Sequence, residues 1–181
     1  FWAGTMNQEN VQALDGCLYR LDADRTLHTM GSGYTISNGL GWSPDNTTMY
    51  HTDSARGVIW LYDYDHASGA IGNQRAFVQV PEHEGVPDGL AVDSQGYVWS
   101  AHWGGRKITR YDPAGRATLE VRVPAQHVTS CAFGGENLDE LFITTAWHGL
   151  NKAEREAQPL AGDLFVARMG IQGIEEPGFA G

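Results

Sequence analysis

Two short motifs carry oxygen-bearing side chains at the same place in a repeat: Asn38-Gly39-Leu40 and, 50 residues on, Asp88-Gly89-Leu90. An amide oxygen set beside a carboxylate begins a coordination shell for a hard cation such as Ca²⁺, which collects oxygen ligands and accepts waters among them. The glycine that follows each lets the backbone turn without a Cβ clash. The same residues also have a plain structural use, since Asn and Asp before Gly are common turn and cap formers. From the repeat alone both uses stay open. No Cys or His stands at the equivalent positions, which argues against zinc.

Other chemistry is sparse. There are seven histidines but no H-E-x-x-H, and no G-x-S-x-G elbow. His102 and His148 follow strand-like runs beside Trp103 and Trp147, which could bring them to a channel mouth. Cys17 and Cys131 match no metal spacing and sit in apolar runs, so they read as buried free thiols rather than a disulfide. Asp63-Tyr64-Asp65 resembles the opening of an EF-hand loop, but Gln74 stands where that loop needs Glu, so a polar hairpin is expected. Asn46-Thr47-Thr48 fits a glycosylation sequon, which matters only in a secreted protein.

The elements that must position Asn38 and Asp88 are strands. Short runs rich in Val, Ile, Tyr, Trp and Thr alternate with Gly, Pro, Asp and Asn, and the single helical or loop excursion expected is Asn151 to Gln158, closed by Pro159. Overlaying the segments reveals a repeat. Asn38 to Asn46, Thr48 to Asp53, Gly57 to Asp63 and Arg75 to Val80 match Asp88 to Gly96, Tyr97 to His102, Lys107 to Asp112 and Ala117 to Val123. A looser unit runs through Ser130 to Gly135, Glu140 to Ala146 and Asp163 to Ala167. Four strands per unit at this interval predict an all-β fold of β-propeller blades, with the first strand of each lining a central channel. In this register Phe1 to Met6, Gly16 to Asp22 and Thr26 to Met30 are the second, third and fourth strands of a blade without an innermost strand. The expected organisation is a partial blade over 1–34, blades over 35–85 and 86–125, and a blade with a tail over 126–181: about three blades plus a partial one, a piece of a longer propeller.

The same residues resemble a family. Ile36 to Asp45, Tyr62 to Asp65, Val86 to Asp93, Gly104 to Arg106, Thr129 to Gly135 and the ending Phe179-Ala180-Gly181 are similar to the gluconolactonase and senescence-marker-protein family, the regucalcin-like lactonases. The resemblance implies a six-bladed propeller holding one divalent cation, Ca²⁺ foremost, with Zn²⁺, Mg²⁺ or Mn²⁺ as alternatives. It places Asn38 and Asp88 as metal ligands, Asp88 also as general base, and Glu9 facing the substrate. It further implies that a glutamate ligand and an Arg and Asn that bind substrate lie upstream, so that this piece alone holds only part of the site.

Composition narrows the partners. The net charge is −10, and no run of Lys or Arg offers a footprint for nucleic-acid phosphates. No stretch approaches the roughly 18 apolar residues of a membrane span, and no secretory signal is visible, so a cytoplasmic location is the default. The leading function is hydrolysis of a sugar lactone, gluconolactone-like, to its aldonic acid. An esterase or phosphotriesterase on the same scaffold, or a non-enzymatic calcium-binding propeller, uses the same two residues.

Overall fold

The computed structural model describes residues 1–176 and 178; the Phe179-Ala180-Gly181 ending lies outside the described residues. Fourteen strands and one short helix make up these residues. A first antiparallel sheet contains β1 (Trp2–Gly4), β2 (Gly16–Leu21) and β3 (Leu27–Tyr34). A second contains β4 (Ser37–Trp42), β5 (Thr48–Asp53), β6 (Val58–Asp65) and β7 (Ala70–Gln79). Next come β8 (Val86–Val92), β9 (Val98–Trp103), β10 (Lys107–Tyr111) and β11 (Ala117–Arg122), and then β12 (His127–Gly134), β13 (Glu140–Ala146) and β14 (Leu164–Arg168). A single antiparallel pair, His127 with Trp103, ties the last two groups together. These are successive propeller blades.

The turns follow from their residues. In the β4–β5 turn Asn46 N–H closes on Ser43 O at 2.8 Å, and Asp45 accepts from the Ser43 and Thr47 hydroxyls. In the β8–β9 turn Gly96 takes φ +80°, a conformation glycine adopts without strain, and its N–H reaches Asp93 O. The expected excursion contains α1 (Lys152–Ala157), opened by a capping box between Asn151 and Glu154. The last strand of the second sheet begins at Ala70 rather than Arg75, because the β6–β7 ladder resumes at Asp63–Gly72 beyond a register shift that absorbs Asn73 and Gln74.

Apolar clusters fill the gaps between blades. Leu18 and Tyr34 meet Met49 and Tyr62; Tyr50 and Ile59 meet Leu90, Val92 and Val98; Trp99 and Ile108 meet Val128, Cys131, Leu141 and Ile143. Cys131 is fully buried and its thiol is pushed up to about 12 by that burial, whereas Cys17 is only half-buried; both are free. No helix among the described residues is long and apolar enough to cross a membrane.

The inner strands β4, β8 and β12 lie almost backbone to backbone. A Cβ on Gly39 would sit 2.6 Å from Asp88 O and Leu90 N, and one on Gly89 would sit 2.8 Å from Thr129 O. Each of these strands breaks register with its neighbour at the same place: between Ser37 and Leu40, between Pro87 and Leu90, and between Val128 and Ser130. Irregularities of this kind re-aim side chains near functional sites.

Candidate functional site

Asn38 and Asp88 fall inside the first two of those irregular stretches. With the strand backbones in near contact, their side chains meet: Asn38 Nδ2 donates to Asp88 Oδ1. The same Nδ2 donates to Ser54 Oγ at 3.1 Å. The positions aligned in the repeat are therefore neighbours in space, as the register requires.

Asp88 is an acid held at a cost. Burial pushes its carboxyl up to about 6, against the opposing effect of hydrogen bonds from Asn38 and the Gly89 N–H. Among the described residues no Lys, Arg or His forms an ion pair with it. A half-buried carboxylate with a carboxamide beside it and no cationic side chain lacks a counter-charge, and the pair offers oxygen ligands once the amide turns its Oδ1 outward. That combination fits a hard divalent cation. Among the described residues no three His, Cys, Asp or Glu side chains cluster closely enough to hold a metal between them. Asn38 and Asp88 are thus a pair of oxygen-bearing side chains rather than a complete coordination shell.

The frame around Asn38 is built by the end of β5, which sequence reasoning missed. Where the register shift interrupts the β4–β5 ladder, side chains replace it. His51 Nε2 lies 2.7 Å from Ser37 Oγ, and Asp53 Oδ1 accepts from the Thr35 hydroxyl, the Thr35 N–H and the Ile36 N–H. The one available signal is the polar run Thr52-Asp53-Ser54 closing an otherwise apolar-patterned strand.

The remaining expected residues are placed differently. Glu9 is exposed, and its N–H donates to Asn7 Oδ1 within a loop anchored by Asn7 on Asp15. That loop, between β1 and β2, touches the chain just ahead of Asn38, through Ser37 N–H to Thr5 O and the Met6–Ile36 bridge. The Glu9 side chain makes no hydrogen bond or ion pair to Asn38 or Asp88 among the described residues. His102 does not reach the channel: it is fully buried, with Nδ1 3.1 Å from Glu84 O and Nε2 3.4 Å from Tyr111 Oη. Burial lowers its pKa to about 4, so it is a neutral ring inside the blade. His148 lies in an exposed turn after β13, next to Trp147, whose ring is stacked by Arg155 at 4.0 Å. A cavity of about 660 Å³ opens at the far end of β4, lined by Trp2, Trp42, Tyr64 and Pro44; its position separates it from Asn38.

With this geometry established, comparison with known proteins is informative. Residues 1–147 match the family model described as the SMP-30/gluconolactonase/LRE-like region. The chain is 38% identical over 181 residues to a Bacillus subtilis protein named "Putative sugar lactone lactonase YvrE", covering 99% of this chain and 62% of that protein. It is 35% identical over 184 residues to regucalcin of Danio rerio, covering 100% of this chain and 62% of that protein. Among solved structures, one titled as a calcium-binding protein, regucalcin, from Agrobacterium tumefaciens superposes with a TM-score of 0.92 at 28% identity, over 97% of this chain and 59% of that one. The chain spans about six-tenths of the length of the curated relatives it matches.

Proposed function

The chain belongs to the SMP-30/gluconolactonase/LRE-like family, and from that premise we propose that the full-length protein opens a sugar lactone, gluconolactone-like, to its aldonic acid with the help of one divalent cation. The observation that carries this reading is the Asn38–Asp88 pair: an amide and an under-partnered acid brought together from two adjacent inner strands. Asn38 Oδ1 and the Asp88 carboxylate are the ligands this chain supplies, with further ligands and substrate contacts coming from upstream. Calcium is the first choice because the donors are oxygens and a structural neighbour is titled calcium-binding. When bound, the cation supplies Lewis-acid polarisation of the lactone carbonyl and stabilisation of the oxyanion that develops there.

The chain's own residues do the rest. Asp88 Oδ takes a proton from the attacking water as the water oxygen bonds to the carbonyl carbon. The ring C–O bond then breaks, and the same proton passes to the leaving alkoxide, giving the free hydroxyl and the acid. Asn38 keeps the carboxylate in place by its hydrogen bond. Glu9, on the β1–β2 loop whose start touches Ile36 and Ser37, faces the sugar.

A panel of sugar lactones tests this with the full-length protein, following acid release with and without chelator. Release that stops on chelation and returns with Ca²⁺ is the expected result. Undiminished turnover in chelator would overturn the metal-assisted mechanism. Cation binding without turnover of any lactone favours instead a non-enzymatic calcium-binding role, the reading to which the neighbour's title lends support.

A further inference from the structure

We propose that Ser54 is a positioning residue that decides which end of the Asn38 amide is presented to the cation. The inference rests on the metal-ligand role proposed above for Asn38. A carboxamide has two chemically opposite ends, and only its oxygen can ligate. An amide free to turn over would offer its NH₂ to a cation much of the time, so a ligand of this kind needs a partner that fixes its orientation.

The structure holds two acceptors on Asn38 Nδ2, and they are unequal. One is Asp88 Oδ1. The other is Ser54 Oγ, at 3.1 Å. A cation that drew on the charge of Asp88 would weaken it as an acceptor, whereas Ser54 Oγ, which carries no charge to lose, would go on holding the NH₂ end. Ser54 can serve because it is itself immobile. It is 4% exposed, its N–H donates to Ile36 O at 3.0 Å, and its carbonyl accepts from Gly57 N–H at 2.8 Å where a one-turn 3-10 segment, Ser54–Arg56, follows β5. The residue before it, Asp53, grips Thr35 and Ile36, the two residues that lead into the strand that carries Asn38. Ser54 therefore moves as one body with β4, and its hydroxyl oxygen reports the position of Asn38 rather than of solvent.

The test titrates Ca²⁺ calorimetrically into the full-length protein and follows thermal unfolding in chelator alongside. Ser54→Ala is expected to weaken Ca²⁺ binding about tenfold, the lower end of what loss of such an orienting partner costs, while Ser54→Thr, which keeps the hydroxyl, binds as the native protein does. A double-mutant cycle isolates orientation. In an Asn38→Asp background both ends of the side chain are oxygen, so the Ser54→Ala loss shrinks towards none. Any general loss of stability is common to both backgrounds, so the cycle still reads orientation where Ser54→Ala lowers the melting temperature in chelator. Native affinity in Ser54→Ala, or a loss that persists undiminished with Asp at position 38, would overturn the inference and leave the lactonase reading standing. A native protein that binds no Ca²⁺ would overturn the metal reading itself, and the inference with it.

Discussion

The two ends of β8 carry aspartates five residues apart and treat them in opposite ways. Asp93, at the closing turn, is fully buried and fully partnered: the Gln95 and Tyr97 N–H groups bind Oδ1, while Trp99 Nε1, Arg110 Nε and Arg110 Nη2 all converge on Oδ2. Arg110 in turn stacks on the Tyr97 ring at 3.6 Å. Asp88, at the opening of the strand, has an amide, a backbone N–H and no cationic partner among the described residues, and burial holds its carboxyl near 6. One acid has every lone pair used and holds the blade together. The other has capacity to spare, and that capacity is what the proposed cation site would draw on.

Exchanging the fates of these two residues is the sharpest way to break the contrast. Asp88→Ala in the full-length protein is expected to lower lactone turnover by about 10²- to 10⁴-fold, the usual worth of a positioned general base, while its melting temperature in chelator stays at or above the native value. Asp93→Ala should do the reverse. Removing one partner of a buried ion pair leaves Arg110 uncompensated and costs about 3–5 kcal/mol of folding stability, read by urea unfolding, with Ca²⁺ affinity per folded molecule retained. Full activity in Asp88→Ala, or native stability in Asp93→Ala, would abolish the distinction.

Much of this was legible in the sequence because the repeat is written in its turns. Pro44 with Asn46, and Gly96, fix where β4 and β8 end, and the alignment that follows sets Asn38 opposite Asp88. What escaped depends on departures from regular strands. Asn73, at φ +51°, reads as loop beside Gly72, yet Gly72 pairs with Asp63 and a register shift carries Asn73 within β7. The Ser54 contact depends on the 3-10 turn that follows β5 and on the break of register in β4, of which the polar run Thr52-Asp53-Ser54 is the one trace in the sequence. His102 lies inside the blade because the turn ahead of β8 brings Glu84 O onto its ring, a long-range contact that the residues around His102 do not announce.

His102 extends the comparison, since it lies on the strand paired with the opening end of β8 yet is enclosed like Asp93. With its pKa lowered to about 4 by burial, the folded chain holds it neutral where the unfolded chain binds a proton near 6.5. The unfolded state therefore binds more protons between those values, and stability is lost as pH falls from about 6.5 to about 4, by up to about 3 kcal/mol. Asp88 opposes this, because its raised carboxyl favours protonation in the folded chain. The histidine slope is accordingly measured in an Asp88→Asn background, by urea unfolding at several pH values. His102→Gln is expected to reduce that slope by its own share, with the equally buried His51, also lowered to about 4, still contributing the rest; an unchanged slope would mean that His102 is not held neutral.

The smallest effect tests whether the distance between Asn38 and Asp88 is set by the inner strands themselves. A Cβ on Gly89 would lie 2.3 Å from Ser130 Oγ as well as 2.8 Å from Thr129 O, so Gly89→Ala pushes β8 away from β12. Overpacking of this kind costs about 1–3 kcal/mol. Gly72→Ala is the control, because nothing lies within 4 Å of a Cβ there and its backbone is not in the left-handed region. The shift in Gly89→Ala falls at the opening end of β8, next to Asp88, while Asp93 stays clamped by Arg110 and Trp99 at the other. Ca²⁺ affinity should therefore weaken in Gly89→Ala and not in Gly72→Ala. Equal affinities in the two variants would mean that flexible side chains, rather than strand packing, bring the amide and the acid together.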